Sequence, residues 1–180
     1  MPPRSARPLR KTGSKIIRPR PVPPRDVYVK ACVESRINPN SGMLDILSQY
    51  TACTVIESID VSSNYLGDKG ALPLFAVVER CQNLKELNLA ENGLRNNAIR
   101  ALCITLVKHP TLERLNVSDN YISEGAAVSL YALLEDNPRV CSLVIDNTKI
   151  DVKWRVKLRD LAQANAEALE KLRAASLQES

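Results

Sequence analysis

Few side chains in this 180-residue sequence are of types that do covalent or metal chemistry, and their spacing argues against both. There is one histidine, His109, and it stands directly before Pro110, in a loop position. A Ser/His/Asp set would have to use it, and no Gly-rich phosphate loop forms among six scattered glycines. The five cysteines (Cys32, Cys53, Cys81, Cys103, Cys141) include no C-x-x-C pair, and one histidine adds little toward a zinc site. Cys53 and Cys81 lie 28 residues apart and read as two small buried thiols close in space, not as a disulfide. An odd set of thiols points to a reducing, intracellular compartment. The expectation is a protein that is not an enzyme and carries no cofactor or metal.

The remaining chemistry is ionic. Residues 1–25 hold Arg4, Arg7, Arg10, Lys11, Lys15, Arg18, Arg20 and Arg25 and no acid. That segment therefore carries +8 and the other 155 residues −3, which together give the net +5. Seven of the eleven prolines fall in the same stretch, so it reads as an extended leader that cannot bury enough apolar surface to fold alone. Such a segment suits an acidic surface: tubulin, a nucleic-acid backbone or an anionic membrane. Arg18-x-x-Pro21-x-x-Pro24 also fits an SH3-ligand pattern. The prolines speak against the amphipathic helix of a mitochondrial presequence, which leaves a mitochondrial location as an alternative.

The elements that position everything else come from an internal repeat. Ile56-x-x-Ile59-x-Val61-x-x-Asn64-x-Leu66 returns as Leu84-x-x-Leu87-x-Leu89-x-x-Asn92-x-Leu94. It returns again as Leu112-x-x-Leu115-x-Val117-x-x-Asn120-x-Ile122, and as Val140-x-x-Leu143-x-Ile145-x-x-Thr148-x-Ile150, always 28 residues on. The alternating pair at Ile59 and Val61 reads as a short strand facing inward. The Asn, with two donors and an acceptor, suits a turn whose backbone needs partners, and stacked copies predict a ladder. Thr148 replaces it in the last copy, which fits a repeat with no successor. The second half of each repeat changes period: Ala71, Leu74, Val78; Ile99, Leu102, Leu106; Ala127, Leu130, Leu134 lie on helical stripes. Asp68, Asn96 and Glu124 fall near the helix starts, where acceptors and negative charge are favoured. Gly70, Ala98 and Ala126 share a slot that predicts close helix–strand approach. Pro73 predicts that the first repeat helix starts late.

This pattern resembles the leucine-rich repeat, and its 28-residue length is similar to the ribonuclease-inhibitor-like subclass. The resemblance implies an α/β solenoid: a short arc of about four strand–helix repeats, with a parallel sheet inside, helices outside, helical caps and an extended N-terminal tail. It carries neither ribonuclease inhibition nor activation of the Ran GTPase, because members with those roles are longer or acidic-tailed. The organisation is then a basic Pro/Arg-rich tail (1–25), a helical N-terminal cap (26–54), the repeats (55–150) and a C-terminal capping helix (151–180). In the front cap, Val29, Cys32 and Val33 are expected on the buried side of a helix, with a second short helix near 43–47. Behind the repeats, residues 152–178 contain no Pro or Gly and read as one helix. Its Trp154, Leu158, Leu161 and Ala162 close the core, and Leu169 and Leu172 lie beyond the reach of the last repeat. Tyr28-x-x-x-Cys32, Asn38-Pro39-Asn40 and Leu44/Leu47 are similar to the segment before the repeats in centrosomal and ciliary members.

Composition agrees with one packed domain: 44% hydrophobic, 25% charged and only 4% aromatic, so the core is aliphatic. No run approaches the about 20 apolar residues of a membrane span, and the N-terminus lacks the apolar core of a secretory signal. Binding is expected on the outward strand positions, with Asp60, Glu86, Asn88, Arg114, Asn116 and Asp146 on the concave face, and on Tyr65 and Tyr121, which follow the Asn slot and lie exposed on one edge. Two functions follow. One is a structural scaffold docked by protein–protein contacts into a ciliary or flagellar axoneme or other microtubule-based assembly, with the tail on an acidic surface. The other is a regulatory adaptor that binds one partner on its concave face, or a component of an RNA-containing or mitochondrial assembly. Nucleic acid is the less favoured partner.

Overall fold

Each 28-residue unit folds into one coil, because its alternating half and its 3.6-period half can bury their apolar faces only against each other and against the next coil. The computed structural model describes residues 22–178. Four strands, β1 (Ser58–Asp60), β2 (Glu86–Asn88), β3 (Arg114–Asn116) and β4 (Ser142–Val144), form one parallel sheet in sequence order. The register pairs every residue with its counterpart one repeat on, as in Ile59 with Leu87 and Leu87 with Leu115. These three middle side chains are buried, as are Val61, Leu89 and Val117 below them.

Helices return the chain outside the sheet. They are α3 (Gly67–Arg80), α4 (Asn96–Leu106) and α5 (Glu124–Asp136). Strands stack about 4.8 Å apart and helices need about 8–10 Å, so a sheet inside and helices outside make an arc. In front of the repeats lie α1 (Pro24–Glu34), α2 (Ser41–Leu47) and a 3-10 turn at Cys53–Val55; behind them runs α6 (Val152–Gln178).

Four details depart from the sequence expectations. The first concerns Pro73, which does not delay its helix: α3 begins at Gly67 and carries Pro73 in its middle. The helix start is anchored by the next coil, with Gly67 N donating to Asn92 O at 2.8 Å and Asp68 Oδ1 accepting from Arg95 N at 2.7 Å. The proline forgoes only the bond to the Lys69 carbonyl, and its ring is buried in the core. The second departure is at Gly70, which is not in a tight approach. A Cβ there would meet only the Leu66 Cβ, at an ordinary 3.7 Å, whereas Ala98 and Ala126 are fully packed.

The third lies in α1, which begins at the buried Pro24, so the exposed Arg25 sits on its first turn and the expected tail boundary falls inside the helix. Its buried face is Pro24, Val27, Tyr28, Ala31 and Cys32; Val33 is 71% exposed. The stripe is therefore rotated from the expected one, because the full burial of Tyr28 sets it. The Tyr28 hydroxyl accepts from Asn40 N at 3.2 Å, and burial pushes its pKa up to about 12. The fourth is at the C-terminal end, where Leu169 is half-buried rather than beyond cover. Arg173 pairs with Glu113 at 2.5 Å, so the end of α6 lies against the third coil. Leu158 and Ala162 close the core as expected, with Trp154 and Leu161 partly buried beside them.

Candidate functional site: the loop edge of the arc

Backbone polar groups at the turns must be satisfied, and the repeat does this between coils. On the edge where the strands end, the Asn slots stack. The Asn92 amide donates to Val61 O at 2.9 Å, Leu89 O at 3.2 Å and Ala90 O at 3.0 Å. The Asn120 amide repeats the pattern on Leu89, Val117 and Ser118, and its Oδ1 accepts from Asn92 N at 3.1 Å and Leu94 N at 2.9 Å. In front, the Asn40 amide extends the ladder to Asn64 O at 3.0 Å. Behind, Arg155 of α6 terminates it. Its guanidinium donates to Ile145 O, Thr148 O, Thr148 Oγ1 and Ile150 O. Thr148, expected to have no successor repeat behind it, is the seat for this arginine.

A second ladder runs along the opposite edge, in the slot of Cys53, Cys81, His109 and Asn137. His109 is buried. Its Nε2 lies 3.2 Å from Cys81 O and its Nδ1 accepts from Leu112 N at 3.2 Å, which makes Nε2 the protonated nitrogen. Burial lowers its pKa, against the opposing pull of the Cys81 and Val78 carbonyls. Asn137 donates to Leu106 O and His109 O, and Asn165, 28 residues further on, donates to Leu134 O and Val140 O. The sequence reading stopped the repeat at Ile150 and missed Asn165, although the spacing alone identifies it. Cys53, Cys81 and Cys103 are buried free thiols. Burial raises the pKa of each, that of Cys103 to about 12. Among the described residues no group of three His, Cys, Asp or Glu side chains comes together as a metal site.

The expected concave residues do line one shallow trough of about 260 Å³, with Ser58, Ser142 and Val144. Most of its polar groups are already committed. Glu86 and Arg114, paired in register, form an ion pair. Asp60 Oδ1 accepts from Ser62 N at 2.9 Å and Ser62 Oγ at 2.7 Å, while Asn88 and Asn116 accept from Ala90 N and Ser118 N. Partial burial would raise the Asp60 pKa, but hydrogen bonds from Ser62 and Asn88 outweigh it and hold the carboxyl below its usual range. These turn-closing bonds were not foreseen. Asp146 lies apart from the trough, exposed at the loop edge.

The strand-to-loop turn forces a left-handed residue in each coil: Ser63, Glu91, Asp119 and Asn147, all with φ between 54° and 57°. Their exposed side chains pair between coils, Ser63 with Glu91 at 2.5 Å and Asn147 with Asp119 at 2.8 Å. Two residues further on comes the tyrosine slot. Tyr65 has φ 52°, and its counterpart Gly93 has φ 68°. Glycine adopts this conformation freely, whereas a bulky residue is disfavoured by about 1–2 kcal/mol. The Tyr65 ring is nonetheless 82% exposed, and the Tyr121 ring 67%. Both project from the edge that also carries Glu91, Asp119 and Asp146. The acceptors near the helix starts serve the same edge. Asp68 and Asn96 do not cap their own helices but bind Arg95 N and Ser123 N of the following coil.

Stacked strand–helix coils with an asparagine ladder define a repeat solenoid, and the comparisons specify which kind. The family described as leucine rich repeat matches residues 52–75 and 80–103. The chain is similar to the solved structure of leiomodin-1 actin-binding site 2, at 12% identity and a TM-score of 0.59, covering 86% of this chain and 95% of that one. It also aligns with the tropomodulin C-terminal domain of Caenorhabditis elegans, at 13% identity, 68% and 91% coverage and a TM-score of 0.43. No curated protein matches the sequence. The chain carries leucine-rich repeats within residues 52–103 and folds as a leucine-rich-repeat arc.

Proposed function

We propose that the protein is a non-enzymatic scaffold that attaches by protein–protein contacts, with Tyr65 and Tyr121 on the loop edge of the arc and the basic leader (residues 1–25) on an acidic surface. The observation that carries this is Tyr65. Its backbone is left-handed, a conformation that Gly93 adopts at no cost one coil later and that Tyr121 and Lys149 do not share, and its ring gains no burial within the chain in return. Tyrosine is enriched at protein interfaces. Glu86, Arg114, Asp60, Asn88 and Asn116 are held by one another or by their own turns, which counts against the adaptor reading, in which the concave face is the binding surface.

The finer form of the proposal is docking in a microtubule-based assembly, the ciliary or flagellar axoneme first, with tubulin as the acidic surface. It rests on the charge of the leader and on the resemblance of the front cap. That cap motif also has a packing role, since Tyr28, Cys32 and Leu47 are buried and Asn40 caps α2. The matching part of leiomodin-1 is its actin-binding site 2, and a likeness at 12% identity extends to the fold alone. Co-sedimentation separates the cases. The full chain should pellet with microtubules and be released as salt rises, as a contact through several cations requires. The chain lacking residues 1–25 should remain in the supernatant. Pelleting with actin filaments instead, or equal pelleting of both chains, would refute the microtubule reading.

A further inference from the structure

The second coil holds the one Asn-Gly pair in the sequence, Asn92-Gly93. An asparagine amide is a labile group, and it fails fastest where the next residue is glycine, because no side chain hinders the backbone nitrogen that attacks it. In the first and third coils the same asparagine slot is followed by Tyr65 and Tyr121. Gly93 offers no such cover: it is half-buried, and a Cβ built on it would meet nothing within 4 Å.

The stack restrains this pair. Every polar atom of Asn92 is bonded. Its Nδ2 donates to Val61 O, Leu89 O and Ala90 O, and its Oδ1 accepts from Leu66 N at 3.3 Å. Its backbone N donates to Asn120 Oδ1 at 3.1 Å, and its backbone O accepts from Gly67 N at 2.8 Å. Attack by the Gly93 nitrogen requires the side-chain amide to swing back along the chain and Nδ2 to leave, which breaks all the side-chain bonds. Asn92 is also 0% exposed, so the amide is sealed from water. The bonds come from the coils on both sides, so the pair is freed only when the stack opens around the second coil.

We propose that Asn92-Gly93 is a self-modification site that the stacked coils hold closed and that reacts when they part. The step consumes only water. The Gly93 nitrogen bonds to Asn92 Cγ, its proton passes to solvent, and Nδ2 leaves as ammonia, which gives a cyclic succinimide. Water then opens the ring at either carbonyl. One product is aspartate; the other is isoaspartate, whose main chain runs through Cγ and is one carbon longer. Neither restores the rung. Aspartate aims a buried carboxylate at three carbonyl oxygens, which is strongly unfavourable. Isoaspartate puts the second coil out of step with its 28-residue neighbours. A chain left open is thereby marked and kept out of the stack.

The test does not depend on the tyrosine-edge reading. The full chain is incubated in mildly alkaline buffer, folded or unfolded in guanidinium chloride, and digests are read for the mass gain at residue 92 and for isoaspartate by enzymatic methylation. Unfolded, residue 92 should convert ahead of Asn64 and Asn120, and Gly93→Ala should slow it severalfold, a comparison that needs no folding of the variant. Folded, conversion should be at least about tenfold slower than in denaturant. Chains converted while unfolded should fail to regain the thermal transition that unconverted chains recover through the same cycle. Equal rates in the folded and unfolded chain, conversion of Asn64 or Asn120 ahead of residue 92 in denaturant, or a converted chain with the unconverted transition would each overturn the proposal.

Discussion

Single side chains hold this structure together by reaching into the neighbouring coil, which makes their loss disproportionately costly. Asn120 is buried, donates to three carbonyls and accepts from two amides. Asn120→Ala should destabilise the chain by about 2–4 kcal/mol in urea unfolding, since each buried backbone group left unpaired costs about 1–3 kcal/mol. The sequence displayed this residue openly, because its slot recurs every 28 positions. His109 was legible as a loop residue but not as a ladder rung, because its slot changes type from Cys to His to Asn. Its lowered pKa gives a pH signature. The unfolded chain binds a proton near the ordinary 6.5 and the folded one only at lower pH, so the neutral imidazole's contribution is complete above 6.5 and is lost as pH falls from there through the folded value. His109→Asn, which installs the residue found one coil later, should remove this acid-side loss from the stability profile. The thiols give a parallel check. Cys32, Cys53, Cys81 and Cys103 are buried with raised pKa values, so a thiol reagent at neutral pH should modify at most the half-buried Cys141 before unfolding.

At the scale of elements, the strands and helices follow the two hydrophobic periods, and the exceptions come from contacts that no local pattern encodes. Pro73 sits inside α3 because the next coil anchors that helix from its first turn. The face of α1 is set by the burial of Tyr28, and Asp68 and Asn96 bond forward instead of capping their own helices. The two glycines near the front of the arc divide on the same logic. Gly70 has an ordinary helical backbone and free room, so Gly70→Ala should stabilise by about 0.5–1 kcal/mol. A Cβ on Gly42 would fall on Asn64 Oδ1, so Gly42→Ala should destabilise by about 1–3 kcal/mol as α2 is pushed off the first coil. Thermal unfolding of both variants tests the contrast.

For the whole molecule, coils this thin are stable only as a stack, with side-chain rungs from Asn40 to Asn120 along one edge and from His109 to Asn165 along the other. Of the candidate binding residues, Tyr65 and Tyr121 are exposed, and all the expected concave residues but Asp146 line the trough. The repeat pattern could not show that the concave polar groups pair with one another, because such pairing depends on which residue stands 28 positions away and on side-chain reach. Arg4, Arg7, Arg10, Lys11, Lys15, Arg18 and Arg20 lie outside the described residues, so the leader enters the account through its charge alone. The account's central claim is that partners are contacted at the edge where the strands run out into loops. A photo-crosslinking residue placed in cells at position 65 or 121, and in separate chains at 88 or 116, tests this most directly. Adducts to one shared partner from 65 and 121, with few from 88 and 116, are the predicted result; strong adducts from the concave positions with none from the tyrosine positions would contradict it.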